Sequence, residues 1–325
     1  MKNVGILSVG HYLPSRKLTN LDLEKMVETS DEWIVTRTGI KERRIASQDE
    51  LTSDMASGAA REALKNAEMD GEEIELIIIA TTSPDSNFPS VACKVQKAIN
   101  AKNAAAFDVS AACSGYLYAM TTAKQYILSG MFKNALVVAA DKFSNLLDWN
   151  DRGTCVLFGD GAGACVLGWV RGNHGILSDH IHAQGKHDEM MYVDHEEPVP
   201  LDQTHQKMRK PHIIMHGQEL FKEAVTSMAE GAGIVAKKAG VKLEDVKCVV
   251  PHQANDRIIS AVAKKAGIPK EKFFINIHKY GNTSAAAVAI ALYEAVQEGR
   301  IKKNDNVILV TFGAGLVSAA NLVRW

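Results

Sequence analysis

The feature that most constrains this chain is that it repeats itself. Residues 52–80, TSDMASGAAREALKNAEMDGEEIELIIIA, read as helix, turn and strand, and residues 218–250 follow the same order and end KKAGVKLEDVKCVV. FDVSAACSG at 107–115 parallels INIHKYGNTS at 275–284, each a strand followed by a turn of small residues into a helix. Gly130 stands 17 positions after Cys113, and Gly299 stands 17 after Asn282 (130 − 113 and 299 − 282). Both glycines fall where a helix should end. FGDGAG at 158–163 parallels FGAG at 312–315. A period of roughly 150 residues is far too long for a solenoid. It points to two similar α/β halves, 1–172 and 173–325, packed face to face. The alternative is chance similarity between generic α/β units. If the duplication is real, Cys113 and Asn282 occupy equivalent helix N-termini and can face one site between the halves.

Short, continuous, β-branched runs at 74–80, 135–140, 246–250 and 307–310 predict buried strands. Small and apolar residues recurring at three- and four-residue spacing predict helices over 52–67 and 217–239. Strands alternating with helices argue an α/β fold with a largely parallel core. A chain of 325 residues, 46% of them hydrophobic, is longer than one core usually holds, which agrees with two halves.

Basic and acidic residues balance at 37 against 38, a net charge of −1, so nothing pushes the whole molecule toward nucleic acid. A charged partner would need a local patch. The five cysteines are odd in number and no pair has C-x-x-C spacing, which argues against a disulfide framework or a zinc ribbon and fits a reducing cytoplasm. Residues 1–10 carry one Lys and no long apolar run, so no signal peptide is expected. The purest apolar stretch, 76–80, is far too short to span a bilayer.

Three residues carry candidate chemistry. Cys113 lies in Ala111-Ala112-Cys113-Ser114-Gly115, where small neighbours leave room for a substrate. The helix after it would set free N–H groups and partial positive charge at the sulfur, which favours thiolate. A lone cysteine is more often buried and inert. His252, in Pro251-His252-Gln253-Ala254-Asn255, directly follows a predicted strand, where α/β sites gather, although a lone His is more often structural. Asn282, in Tyr280-Gly281-Asn282-Thr283-Ser284, could equally be an ordinary turn or helix cap. The conjunction carries the weight: each sits at a strand-to-helix turn, and two sit at equivalent places in the repeat.

Other candidates are weaker. Eight of the eleven histidines lie between His174 and His216, among them His180 and His182. The same stretch carries Asp179, Asp188, Glu189, Glu196 and Glu197 without regular ligand spacing, so a solvated loop or hairpin is expected rather than a metal site. Gly159-Asp160-Gly161-Ala162-Gly163 lacks G-x-G-x-x-G spacing and a following Lys, which argues against a dinucleotide loop. Its glycines are expected to allow tight turns and close strand packing. No G-x-S-x-G elbow is present.

Taken together, TTSPDSNFPS, DVSAACSG, VLFGDGAGA, VPHQAN, YGNTSAA and the closing FGAG resemble the β-ketoacyl-[acyl-carrier-protein] synthase III family, from DEWIVTRTGIKERR at 31–44 to the last strand. The resemblance implies a thiolase fold, two duplicated α/β halves in a layered α-β-α-β-α arrangement, in a cytoplasmic homodimer. It implies an acyltransferase that condenses an acyl-CoA primer, acetyl-CoA being expected, with malonyl-ACP to start fatty acid biosynthesis. Cys113 would be the acylated nucleophile, completed by His252 and Asn282, with backbone N–H groups of Cys113 and Ala314 as the oxyanion hole. Trp33, Arg37 and Arg152 match positions that hold the CoA adenine and phosphates. Phe221 and Asn255 match the pantetheine tunnel. Phe88 matches a residue that the partner subunit inserts at the acyl pocket, to which Phe312 is also assigned. No metal or redox cofactor is implied, CoA thioester being a substrate.

The carrier protein is expected on the stretch Gln253, Ala254, Asn255, Asp256 and Arg257. Arg257 and Lys264 are seven apart and share a helix face with Lys265 beside them, and Lys222 could extend that basic patch. Asp256 weakens it, and an ordinary solvated helix face is the plain alternative. The closing turn departs from the family, reading Gly313-Ala314-Gly315 where a third glycine is common; Ala is tolerable there if its φ is negative. A condensing enzyme of a secondary pathway, a Cys-His-Asn thioester hydrolase and a non-catalytic acyl-binding protein are the alternatives.

Overall fold

A computed structural model describes residues 2–194 and 212–325. Among the described residues, two larger sheets stack with helices outside and between them. The first sheet runs in the order Lys2–Tyr12, Asp160–Arg171, Asn134–Lys142, Leu76–Ala80, Ala105–Val109. The second runs Val246–Pro251, Asn306–Gly313, Val317–Arg324, Gly175–His182.

Burial explains each layer. Thr52–Ala67 buries a stripe of Met55, Ala56, Ala59, Ala60, Ala63 and Leu64, small enough to lie close on the outer face of the first sheet beside Val91–Ala98. Gly217–Ala239 does the same on the outer face of the second sheet with Ala224, Met228, Ala232 and Val235, next to Asp256–Ala266. Each of these two long helices is stopped by a left-handed residue, Glu68 or Gly240. Gly115–Leu128 and Ala286–Gln297 are buried on nearly every side, as helices packed between two sheets must be. One continuous core joins them to the inner faces of both sheets. The order of layers is therefore α-β-α-β-α.

The predicted helices at 52–67 and 217–239 and the four predicted strands are all present. The expected largely parallel core is corrected. Leu76–Ala80 pairs in parallel with both neighbours and Val246–Pro251 with Asn306–Gly313, but the remaining four pairings in the two sheets are antiparallel. No crossover helix separates 142 from 160 or 313 from 317, so the chain doubles back there instead of crossing over. The strand expected at 275 is reduced to a single parallel bridge between Val249 and Phe273. The following amides, of Asn276 and Ile277, are claimed instead by the Gln253 side chain at 3.0 and 3.2 Å. Gly163, in the glycine-rich run, lets Asp160–Arg171 approach the central helix: a Cβ there would stand 2.5 Å from that of Ala289. No described helix is long and apolar enough to cross a membrane.

Candidate active site

Cys113 sits in a tight turn, Ala112–Ser114, that runs directly into the helix Gly115–Leu128. Ala112 enters at φ 45, a conformation that a residue with a side chain adopts at a cost. His252 follows its strand immediately, and its amide donates to Val310 O at 2.8 Å. Asn282 is held by the other half of the chain: its amide donates to Leu157 O at 2.8 Å and its carbonyl accepts from Gly159 N at 3.0 Å. Its Oδ1 accepts from the Ser284 amide at 2.9 Å, which leaves the Nδ2 hydrogens for a ligand.

The two halves grip each other reciprocally at these turns. Phe158 of the first half forms an isolated bridge with Asn282 of the second. Gly313 of the second half lies against Cys113 of the first, where a Cβ would stand 2.7 Å from the Cys113 nitrogen. Gly281 holds φ 64, ψ −158, and a Cβ there would stand 2.8 Å from Leu157 O. The motifs FGDG and FGAG, which parallel each other in the sequence, thus each seat the reactive turn of the opposite half.

Cys113, His252 and Asn282 line one largely apolar cavity of about 160 Å³ with Phe221, Met228 and Phe312. All three are buried, at 4%, 3% and 7% exposure. Burial governs their ionisation. It pushes the Cys113 thiol up to about 12, and the nearby Asp141 carboxylate adds to the rise. It lowers His252 to about 4. Burial therefore favours the neutral forms of both thiol and imidazole and opposes the thiolate that the helix start alone suggests. His252 Nδ1 has no partner among the described residues. Ala314 does not have a positive φ; Gly315 takes that role at 74°.

The surface residues divide. Arg37 and Arg152 both stack on Trp33, their guanidinium carbons 4.9 and 5.6 Å from the ring centroid. Asn255 Nδ2 donates to Arg37 O at 3.0 Å, linking this cluster to the cavity that Asn255 and Phe221 line. Phe88 is 85% exposed and lies outside the cavity lining, whereas Phe312 is buried within it.

Of the residues expected to touch a carrier protein, Gln253 must be corrected. It is 1% exposed, and its amide is spent on Pro251 O, Phe274 O and the Asn276 and Ile277 amides, so it braces the turn from within. Ala254 lines the cavity. Asp256 pairs with Lys270 at 3.1 Å, a neighbouring cation not foreseen. Arg257, Lys264, Lys265 and Lys222 are exposed, and Lys265 also reaches Thr226 Oγ1 at 3.0 Å.

The histidine-rich stretch forms the expected hairpin in one part and a strand of the second sheet in another. Part of it is the strand Gly175–His182, which puts the His180 and His182 rings 6.2 Å apart. Another part is a hairpin, Met191–Asp194 with His212–Met215, whose Met191 and Met215 line the cavity. Among the described residues no three His, Cys, Asp or Glu side chains gather as metal ligands; His195, His205, Glu196 and Glu197 lie outside the described residues. Asp141 and Ser284, not among the sequence candidates, are both fully buried. Ser284 lies in the small-residue run after Asn282, and Asp141 lies at a strand end with no motif of its own.

Similarity to known proteins agrees with this geometry. Residues 107–185 match the family described as 3-Oxoacyl-[acyl-carrier-protein (ACP)] synthase III, and residues 236–325 match its C-terminal part. The chain is 49% identical over 323 residues to the beta-ketoacyl-[acyl-carrier-protein] synthase III of Bacillus pumilus, covering 99% of each. It is 51% identical over 320 residues to that of Aquifex aeolicus, covering 98% of this chain and 99% of the relative. The crystal structure of the 3-oxoacyl-[acyl-carrier-protein] synthase III from Aquifex aeolicus superposes with a TM-score of 0.92 at 50% identity, covering 99% of this chain and all of that one. The chain has the thiolase fold and belongs to the β-ketoacyl-[acyl-carrier-protein] synthase III family of condensing enzymes.

Proposed function

We propose that this chain is an acyltransferase that condenses an acyl-CoA primer, acetyl-CoA being expected, with malonyl-ACP. The products are 3-ketoacyl-ACP, CoA and carbon dioxide, and the reaction starts fatty acid synthesis. The observation that supports this most is the convergence of Cys113, His252 and Asn282 on one buried apolar cavity.

Cys113 sulfur attacks the thioester carbon of the primer and gives up its proton. The carbonyl oxygen gains charge beside the Cys113 and Ala314 amides, and collapse expels CoA thiolate, which takes up a proton. Malonyl-ACP then loses carbon dioxide, and the electron pair of the broken C–C bond becomes an enolate. His252 and Asn282 donate to the enolate oxygen. Neutral imidazole suits this role, since His252 stays uncharged above about pH 4 and keeps an N–H to offer. Asn282 offers Nδ2 because its carbonyl oxygen is already occupied. Both donors act on charge that appears only during decarboxylation, so they lower the barrier rather than tighten substrate binding. The carbanion attacks the acyl-Cys, sulfur leaves and is reprotonated, and one solvent proton is consumed per turnover.

In this reading 1–172 supplies the nucleophile and 173–325 the donors. The Arg37–Trp33–Arg152 stack holds the CoA nucleotide, and Phe221 and Asn255 flank its pantetheine arm. Phe88 enters the acyl pocket of a second copy in a homodimer, beside Phe312. Malonyl-ACP docks on Arg257, Lys264, Lys265 and Lys222, in the cytoplasm. No metal or redox cofactor takes part, because two N–H donors suffice for the enolate. Intact-mass analysis after incubation with a panel of acyl-CoAs tests the reading. One acyl adduct is expected, absent in Cys113→Ala, that malonyl-ACP converts to 3-ketoacyl-ACP. Release of free acid instead would mark a hydrolase.

A further inference from the structure

Arg43, in the strand Glu42–Ile45, is the largest fully buried side chain among the described residues, and the chemistry above does not use it. Its hydrogen-bond acceptors are all neutral. Nη1 donates to Leu18 O at 3.1 Å and to Asn20 Oδ1 at 2.9 Å, and Nη2 donates to Val156 O at 2.8 Å. Nε is buried without a partner among the described residues. Burial lowers the pKa to about 10, so the group stays charged at neutral pH. A buried charge without an ionic partner is costly, and an apolar side chain of similar size would fill the space at less cost. What the planar guanidinium alone supplies is a rigid fork whose arms reach two places at once.

One arm leads to the Arg37–Trp33–Arg152 stack. Asn20, itself buried, donates from Nδ2 to Asp31 Oδ1 at 2.8 Å and to Ile40 O at 2.7 Å. Asp31 opens the helix Asp31–Thr38, which carries Trp33 and Arg37, and Ile40 lies just past its end. The other arm leads to the reactive turn of the second half. Val156 directly precedes Leu157, whose carbonyl takes the Asn282 amide at 2.8 Å. The Arg43 stem lies under the same crossing. Its Cβ would stand 3.0 Å from a Cβ on Gly159 and 3.4 Å from one on Gly281. Gly159 N in turn donates to Asn282 O. We propose that Arg43 is a positioning residue with two dependants, Asn282 through Val156 and the nucleotide stack through Asn20. The Cys113 turn is not among them, since the backbone against it is that of Gly313. Loss of the fork should therefore loosen the donor and the stack while sparing the sulfur.

The inference rests on the proposed function, and its test compares the two half-reactions. Arg43→Met keeps the bulk and removes the fork. Carbon dioxide release from malonyl-ACP should fall about tenfold, less than when Asn282 itself is removed, because the donor is displaced rather than lost. The KM for acyl-CoA should rise several-fold. Loading of Cys113 from a small acyl thioester that lacks CoA should fall far less than carbon dioxide release. A merely structural role would lower both half-reactions together. Arg43→Lys keeps the charge but reaches with one arm, so it should not restore both readouts at once. Equal loss of both half-reactions in Arg43→Met, or full recovery of both readouts in Arg43→Lys, would overturn the proposal. Should the Arg43 variants fail to fold, Asn20→Ala severs the arm to the stack. Its KM for acyl-CoA should rise while carbon dioxide release changes little, and an unchanged KM would overturn the proposal. Failure of Cys113 to load from any acyl-CoA in the wild type would overturn the proposed function. An unchanged ratio of the half-reactions in variants that do load would overturn this inference alone.

Discussion

The two halves share a framework and differ where chemistry is placed. In the first, the sheet has five strands, Leu76–Ala80 among them, and the helix-start turn carries a sulfur. In the second, four strands suffice, the fifth shrinks to the bridge at Phe273, and the equivalent turn carries an amide. The edge strand Ala105–Val109 leads straight into the Cys113 turn. Its counterpart gives way to Gln253, whose side chain holds the Asn276 and Ile277 amides and so fixes the route to Asn282. Sheet pairing sets one reactive turn and a buried side chain sets the other. The halves are thus two similar platforms face to face, one presenting a sulfur and the other an imidazole and an amide to the same cavity.

Breaking one platform should abolish a different step from breaking the other. The largest effect belongs to Cys113→Ala. No acyl adduct should form on the protein and condensation should cease, as read by intact mass and by ketoacyl-ACP production.

Next come two glycines at the contacts where the reactive turns meet the opposite half. Gly313→Ala forces a Cβ to within 2.7 Å of the Cys113 nitrogen, and should slow acyl loading on the order of a hundredfold through misplacement of the sulfur. Gly281→Ala meets Leu157 O at 2.8 Å from a backbone conformation that suits glycine, and should instead slow carbon dioxide release from malonyl-ACP. Single-turnover measurements of the two half-reactions would separate them. Equal damage by both variants would erase the comparison.

A smaller effect concerns stability. His252 is buried neutral, with its pKa lowered from 6.5 to about 4, so between those values the unfolded chain binds a proton that the folded chain refuses. Stability is then lost as pH falls through this window and levels off below it. The contribution is roughly 3 kcal/mol. Denaturant titrations at pH 7 and pH 4 should show His252→Gln losing less stability than the wild type by about that amount.

The smallest effect is at the rim. Arg257→Glu should slow the malonyl-ACP step several-fold at low salt and converge with the wild type as salt rises, since exposed charges act on encounter and are screened. Loading from a small acyl thioester should be unchanged.

Much of this was legible in the chain. The small-residue stripes of 52–67 and 217–239 fix their helices because nothing else packs so closely on a sheet. The three turns announced themselves by motif. What stayed hidden depends on tertiary neighbours. Asp160–Arg171, rich in Gly and Ala, and Val317–Arg324 show no two-residue alternation, because both faces are buried, so their antiparallel pairing carried no signal. Gln253 looks like an exposed contact until the backbone it braces is seen. Asp141 takes the Ala285 amide from 144 positions away, a contact made only where the halves meet. Met191 and Met215 stood within a polar stretch that gave no sign of a cavity wall.

The central claim is that the nucleophile belongs to one half and the enolate donors to the other. Asn282→Ala tests it most directly, assayed for both half-reactions on one preparation. The account predicts that intact mass still shows acyl loading from CoA, while carbon dioxide release from malonyl-ACP falls about a hundredfold, the scale of one lost oxyanion donor. Equal loss of loading and decarboxylation in a folded Asn282→Ala protein would contradict it.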